Sequence, residues 1–148
     1  MELIKDSNLN YILIMKKGEK VMETFKKAFQ EIQKNDSSVQ GAFVSGTIGA
    51  LENSILSYRD NDTKKYNHKT FKESMEIVSL SGNFSFKPKD QFFSHIHVGL
   101  SGRDYIQYGG HLTSATVSIT MECLITVTKH KLQRKNDTIT GLDLITFE

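Results

Sequence analysis

A chain of 148 residues with 38% hydrophobic and 24% charged side chains can bury a core of its own and is too apolar to remain disordered. Its net charge of +2 is too dilute to point to nucleic acid, no apolar run approaches the roughly 18 residues of a membrane span, and Met1-Glu2-Leu3-Ile4-Lys5-Asp6 lacks the basic region and apolar core of a secretory signal. The one cysteine, Cys123, cannot form an internal disulfide and reads as a small buried hydrophobe, so the expectation is a single domain over 1–148 in a reducing cytoplasm.

The first element is a strand, Tyr11-Ile12-Leu13-Ile14-Met15. An amphipathic helix follows: Val21, Met22, Phe25, Ala28, Phe29 and Ile32 recur every three or four residues, with Glu23, Lys26, Lys27, Gln30, Glu31 and Lys34 on the other face. Gly18 opens this segment and Asn35-Asp36-Ser37-Ser38 closes it with turn formers. From Gln40 on, the chain reads as short β runs: 42–50, 54–58, 74–80, 83–86, 92–100, 105–108, a long run over 115–128 and a closing strand over 142–147. Arg59-Asp60-Asn61-Asp62-Thr63 reads as a hairpin turn. Successive strands with hairpin-length links predict an α+β fold, a mainly antiparallel sheet carrying one prominent helix.

The chemistry concentrates in Ser94-His95-Ile96-His97-Val98 and Tyr108-Gly109-Gly110-His111-Leu112. Strand alternation puts His95 and His97 on one face, where two imidazoles can share an ion. A turn near Ser101-Gly102-Arg103-Asp104 would return His111 along the same hairpin, with Gly109-Gly110 letting the backbone bend. Three neutral imidazoles with an open fourth position suit a divalent transition metal, zinc first, with iron, nickel or copper as alternatives. The paired histidines alone read more readily as half-exposed strand residues, and it is the third histidine behind a double glycine that brings the metal reading level. Glu76 is the candidate catalytic base, because it is a carboxylate set in an apolar strand; Glu122 shares that setting but reads as the solvent face. The basic run Lys129-His130-Lys131-Leu132-Gln133-Arg134-Lys135 reads as a solvated turn. Nine phenylalanines, four of them at 84, 86, 92 and 93, are more aromatic surface than one helix readily covers, which gives a subunit interface a physical motive, the equal alternative being that all of them are ordinary core.

Several stretches resemble, in order, the PPC domain family, conserved between plants and prokaryotes. They are Gly41-Ala42-Phe43-Val44-Ser45-Gly46-Thr47-Ile48-Gly49-Ala50, Met75-Glu76-Ile77-Val78-Ser79-Leu80-Ser81-Gly82-Asn83-Phe84-Ser85, His95-Ile96-His97-Val98-Gly99-Leu100-Ser101, Gly109-Gly110-His111-Leu112 and Thr140-Gly141-Leu142. The resemblance implies an α+β domain assembled as a homotrimer, a metal site on His95, His97 and His111, and an unassigned small-molecule ligand. In plant members an AT-hook precedes the domain and accounts for the family's DNA-binding label. The Arg-Gly-Arg-Pro core of that hook is missing here, where the arginines are Arg59, Arg103 and Arg134, so nucleic acid is a doubtful partner. The alternative expectation is a non-catalytic assembly or DNA-associated module.

Overall fold

The fold was analysed in a computed structural model that describes residues 1–146. Its elements are β1 (Glu2–Lys5), β2 (Asn10–Lys16), α1 (Val21–Asn35), β3 (Gly41–Arg59), β4 (Tyr66–Phe71), β5 (Met75–Lys87), β6 (Gln91–Ser101), β7 (Gln107–Thr128), β8 (Gln133–Asp137) and β9 (Leu142–Thr146). The predicted α+β class holds: one helix lies on one sheet, antiparallel except for the single β5–β8 contact at Phe86 and Gln133. The closing strand predicted over 142–147 is present as β9; Phe147 lies outside the described residues.

The runs that read as separate strands are bent continuous ones. Strand β3 joins 42–50 to 54–58, and it passes through Gly46 and Gly49 at φ +54° and +132° and through Asn53 at φ +50°. These residues coincide with register shifts against β7 between Ser45 and Ile48, Gly49 and Leu51, and Glu52 and Ile55. Left-handed residues at bulges bend a strand where a turn would end it. Strand β3 therefore has two sets of neighbours: its first half pairs with β5 and the far end of β7, its second half with β4 and the near end of β7. Strand β6 bridges β5 and β7. The pairings close as β3–β5–β6–β7–β3, which brings sequence-distant segments side by side.

The helix buries Val21, Phe25, Ala28, Phe29 and Ile32, the face its spacing predicted. Phe25 and Phe29 meet Phe84 with ring centroids 5.2 and 5.5 Å apart, and Phe29 also contacts Phe86 and Phe92 at 6.0 and 5.6 Å. One helix thus covers three of the four clustered phenylalanines, which removes the aromatic excess inferred from the sequence. Phe93 lies on the opposite face, beneath the cations of Lys87 and Arg134 at 4.5 and 5.0 Å. At the helix end, Asp36 accepts hydrogen bonds from the Ser38 backbone and hydroxyl, so the predicted stop holds. Cys123 is buried in β7, and burial alone pushes its thiol up to about 12, an inert core position. No helix among the described residues is long and apolar enough to cross a membrane.

Candidate metal centre

On β6, Ile96 and Val98 are buried toward the core, so the alternate residues His95 and His97 project from the outer face of the sheet. Their neighbours on β5 are Asn83 and Ser81. Across the β6–β7 ladder, His97 is the direct register partner of His111, and β3 places Ser57 on the other side of His111. The hairpin return expected for His111 is therefore observed. Gly109-Gly110 acts differently from the expectation: β7 runs straight through both, and a Cβ on Gly110 would press against the Ser57 carbonyl at 3.1 Å. Closeness to β3, not a bend, explains that glycine.

The ligand atoms of the three imidazoles all lie within 4.8 Å of one another, and Nε2 of His95 and His97 are 3.2 Å apart. Nitrogens held at about 2.0–2.1 Å around a tetrahedral ion sit near this spacing. The donor set fits zinc and similar metals: it is all imidazole, three-fold, and open to solvent on the side of exposed His97. Burial, then the charge of Arg134, then the neighbouring histidines, pull His95 down to about 4; burial, His97 and Arg134 lower His111. Both rings are neutral at pH 7, the form that coordinates.

Arg134 was read as part of a solvated basic turn, and the structure corrects this. Residues 133–137 form β8, and Arg134 is only 4% exposed. Its Nε donates to Ser85 Oγ at 2.8 Å, Nη1 to the Asp143 carbonyl at 2.7 Å, and Nη2 to Asn83 Oδ1 at 3.0 Å and His95 Nδ1 at 3.3 Å. A guanidinium has no acceptor. His95 Nδ1 must therefore carry the lone pair, which leaves the ring proton on Nε2, toward His97. Within the same run Lys131 is tied to Asp90 at 2.6 Å, so the chain offers no continuous basic stripe there.

Glu76 is not brought to the histidines. It is exposed and pairs with Ser101 on β6, four residues beyond His97, roughly 13 Å along the strand. Glu122 is exposed opposite Ile14 and Ile48, as a solvent-face residue. The acid–base group that does stand near the cluster was missed. Ser57, buried between His111 and His68 in the sheet, hydrogen-bonds His68 Nδ1 at 2.8 Å and the Thr113 hydroxyl. His68 sits on β4, whose polar sequence Tyr66-Asn67-His68-Lys69-Thr70-Phe71 gives no alternation to read. The hairpin turn read at 59–63 was the available signal, but it is displaced: β3 runs to Arg59 and the connection is 60–65, which sets residue 68 opposite 57 where a turn at 59–63 would set 65 there.

These groups line a cleft of about 760 Å³ framed by the tips of the β3–β4 and β8–β9 hairpins. The hairpins are tied together by Arg59, whose Nη2 donates to the Thr140 carbonyl at 2.7 Å. His95, His111 and His68 form part of the wall.

Residues 5–129 match the Plants and Prokaryotes Conserved (PCC) domain. A metal-containing protein from Archaeoglobus fulgidus is 31% identical, with 99% of this chain and 100% of that chain covered and a TM-score of 0.81. A plant- and prokaryote-conserved protein from Pyrococcus horikoshii is 28% identical over 99% and 94% of the two chains, TM-score 0.77. A Bacteroides thetaiotaomicron protein with a provisional DNA-binding description is 27% identical over 99% and 96%, TM-score 0.83. No curated protein matches.

Proposed function

The chain belongs to the Plants and Prokaryotes Conserved domain family, and from that premise we propose that it is a trimeric metal-binding protein that acts on a small molecule through His95, His97 and His111. The observation that carries the reading is the convergence of three imidazoles from two strands within 4.8 Å, with one side open to a cleft. The metal-containing Archaeoglobus relative supports it. Zinc is the first candidate, because a three-histidine set leaves a fourth position for water or ligand.

A bound zinc would lower the pKa of a coordinated water toward neutrality. The chain's own residues supply the rest. Arg134 holds the His95 ring in place, Ser57 and His68 offer a hydroxyl–imidazole pair able to take up a proton next to His111, and the tips of the two hairpins frame the cleft. The Ser57–His68 pair replaces Glu76 as the base this geometry favours.

Assembly has independent support on the outer sheet face. Ile12, Phe43 and Ile48 are 37%, 48% and 61% exposed, each on the face opposite buried neighbours of β2 or β3. An uncovered apolar surface of this kind favours association of identical subunits. A reducing cytoplasm suits the single buried thiol.

Metal content measured by mass spectrometry on untagged, chelator-free protein tests the central reading. Near-stoichiometric zinc or another transition metal, lost in His95→Ala and His111→Ala, is the expected result. Protein that neither carries nor takes up metal would sink it.

A further inference from the structure

The cleft beside the histidines carries a charge imbalance that the metal reading does not use. Arg59, Lys64, Lys87 and Arg134 line it, against one carboxylate, Asp143. That carboxylate is engaged by Lys87 at 3.6 Å. Among the described residues, Arg134 makes no ion pair although it is 4% exposed. Its hydrogen-bond acceptors are all neutral, and the one carboxylate that acts on it through space, Asp143, is shared with Lys87; a buried cation so incompletely compensated is costly unless a counter-charge arrives. Four of its five N–H groups are used by Ser85, Asn83, Asp143 and His95, which fix the guanidinium plane. The fifth, on Nη1, is left for the cleft.

Arg59 faces the same space. Its Nη2 is anchored on Thr140, and its Nη1 reaches Asn61 only at a long 3.5 Å. Two arginines fixed through neutral partners on the wall of one concave site are suited to the planar oxygens of a carboxylate or phosphate. A cleft of about 760 Å³ is the size of a small-molecule site, and Tyr66, Phe93 and Leu142 offer apolar surface for the rest of such a molecule.

We infer that this cleft binds a small oxyanion, a metabolite bearing a carboxylate or phosphate group, with Arg134 and Arg59 as its anion-binding residues. The inference deepens the proposed function by naming its ligand class; it rests on that reading for the ligand's place beside the metal, while the charge argument holds without metal.

The test is calorimetric titration of the full chain, metal-free and zinc-loaded, with inorganic phosphate, with malate and with a short DNA duplex. Saturable binding of phosphate or malate, one per chain, is expected, and the tighter of the two identifies the head group. Arg59→Gln, which leaves the buried network of Arg134 intact, should weaken it at least about tenfold, as loss of one charge-assisted hydrogen bond does; Arg134→Gln should weaken it further. No saturable binding of either small probe, binding unmoved by both substitutions, or binding of the duplex alone would overturn the inference. Anion binding without zinc uptake removes the metal reading and leaves this one standing; zinc uptake without anion binding does the reverse.

Discussion

Nη2 of Arg134 lies 3.3 Å from Nδ1 of His95, and this contact sets a donor against the ring nitrogen that a metal-bound imidazole normally uses to donate. A neutral His95 coordinating through Nε2 would carry its proton on Nδ1, facing a group that cannot accept it. Arg134 thus holds the ring in position while opposing the tautomer the metal needs.

Replacing Arg134 with glutamine should separate those two effects. The amide oxygen can accept from Nδ1–H and the positive charge is gone, so zinc affinity should rise, by roughly tenfold, the reverse of the 10–100-fold loss that follows when a supporting acceptor is removed. Stability should fall by about 1–3 kcal/mol, because Ser85, Asn83 or the Asp143 carbonyl loses a buried donor. Competition against a chromogenic zinc chelator, alongside urea unfolding, reads both; an unchanged or weaker zinc affinity would contradict the conflict described here.

Removal of a ligand should act in the opposite direction from removal of Arg134. His97→Ala is exposed and carries little packing, so the fold should survive with zinc affinity down at least about 100-fold, beyond what loss of a merely supporting group does. Glu76→Gln should leave zinc content unchanged, since Glu76 pairs with Ser101 away from the cluster. Circular dichroism and metal content on the two variants decide this, and metal loss in Glu76→Gln would show that the register argument has misplaced that residue.

The histidines also predict a pH dependence of stability without metal. In the folded protein burial and Arg134 bring His95 down to about 4 and burial holds His111 below its ordinary value, whereas in the unfolded chain both titrate near the usual histidine value of about 6.5. Above pH 6.5 both states are neutral at these rings and the contribution is fully present. As pH falls from 6.5 toward 4, the unfolded chain takes up protons the folded one refuses, and stability declines. The carboxyls of Asp36, Asp60 and Asp137, held low by hydrogen bonds, titrate below this window, and those of Glu2 and Glu19, lowered by their partners, add to the decline only at its acid end. Urea midpoints at pH 7, 6 and 5 should fall in that order, and the decline should flatten in His95→Gln; a flat wild-type profile would refute the assignment.

Two phenylalanines on opposite faces should behave in opposite ways. Phe29 is fully buried against Phe84, Phe86 and Phe92, so Phe29→Ala should cost about 3–5 kcal/mol as cavity-forming substitutions do. Phe43 is 48% exposed, and Phe43→Asp should leave the fold intact while converting a trimer to monomer in sedimentation velocity. A wild-type chain that sediments as a monomer would end the assembly reading.

What the sequence by itself determined was whatever depends on residues near one another along the chain. The helix face of α1 follows from 3.6-residue spacing, the common side of His95 and His97 from strand alternation, and the return of His111 from a single hairpin. The α+β class follows from strands in succession after one helix. Local reading failed where a backbone bend replaced a break: the gap between the runs 42–50 and 54–58 looks like a strand end, yet Asn53 in a left-handed conformation bends β3 through a bulge there. It failed again for Arg134, because a basic run looks solvated unless the strand that covers it is known. Strand β8 reaches β5 across some fifty residues of sequence, Phe86 pairing with Gln133, and that crossing buries the guanidinium against His95. His68 meets Ser57 across a local hairpin, but it comes near His111 only because β3 lies between β4 and β7. Composition and periodicity specify which face a side chain takes within its own element, whereas the closure of β3, β5, β6 and β7 decides which faces meet, because pairing between distant strands depends on register and curvature that no single segment encodes.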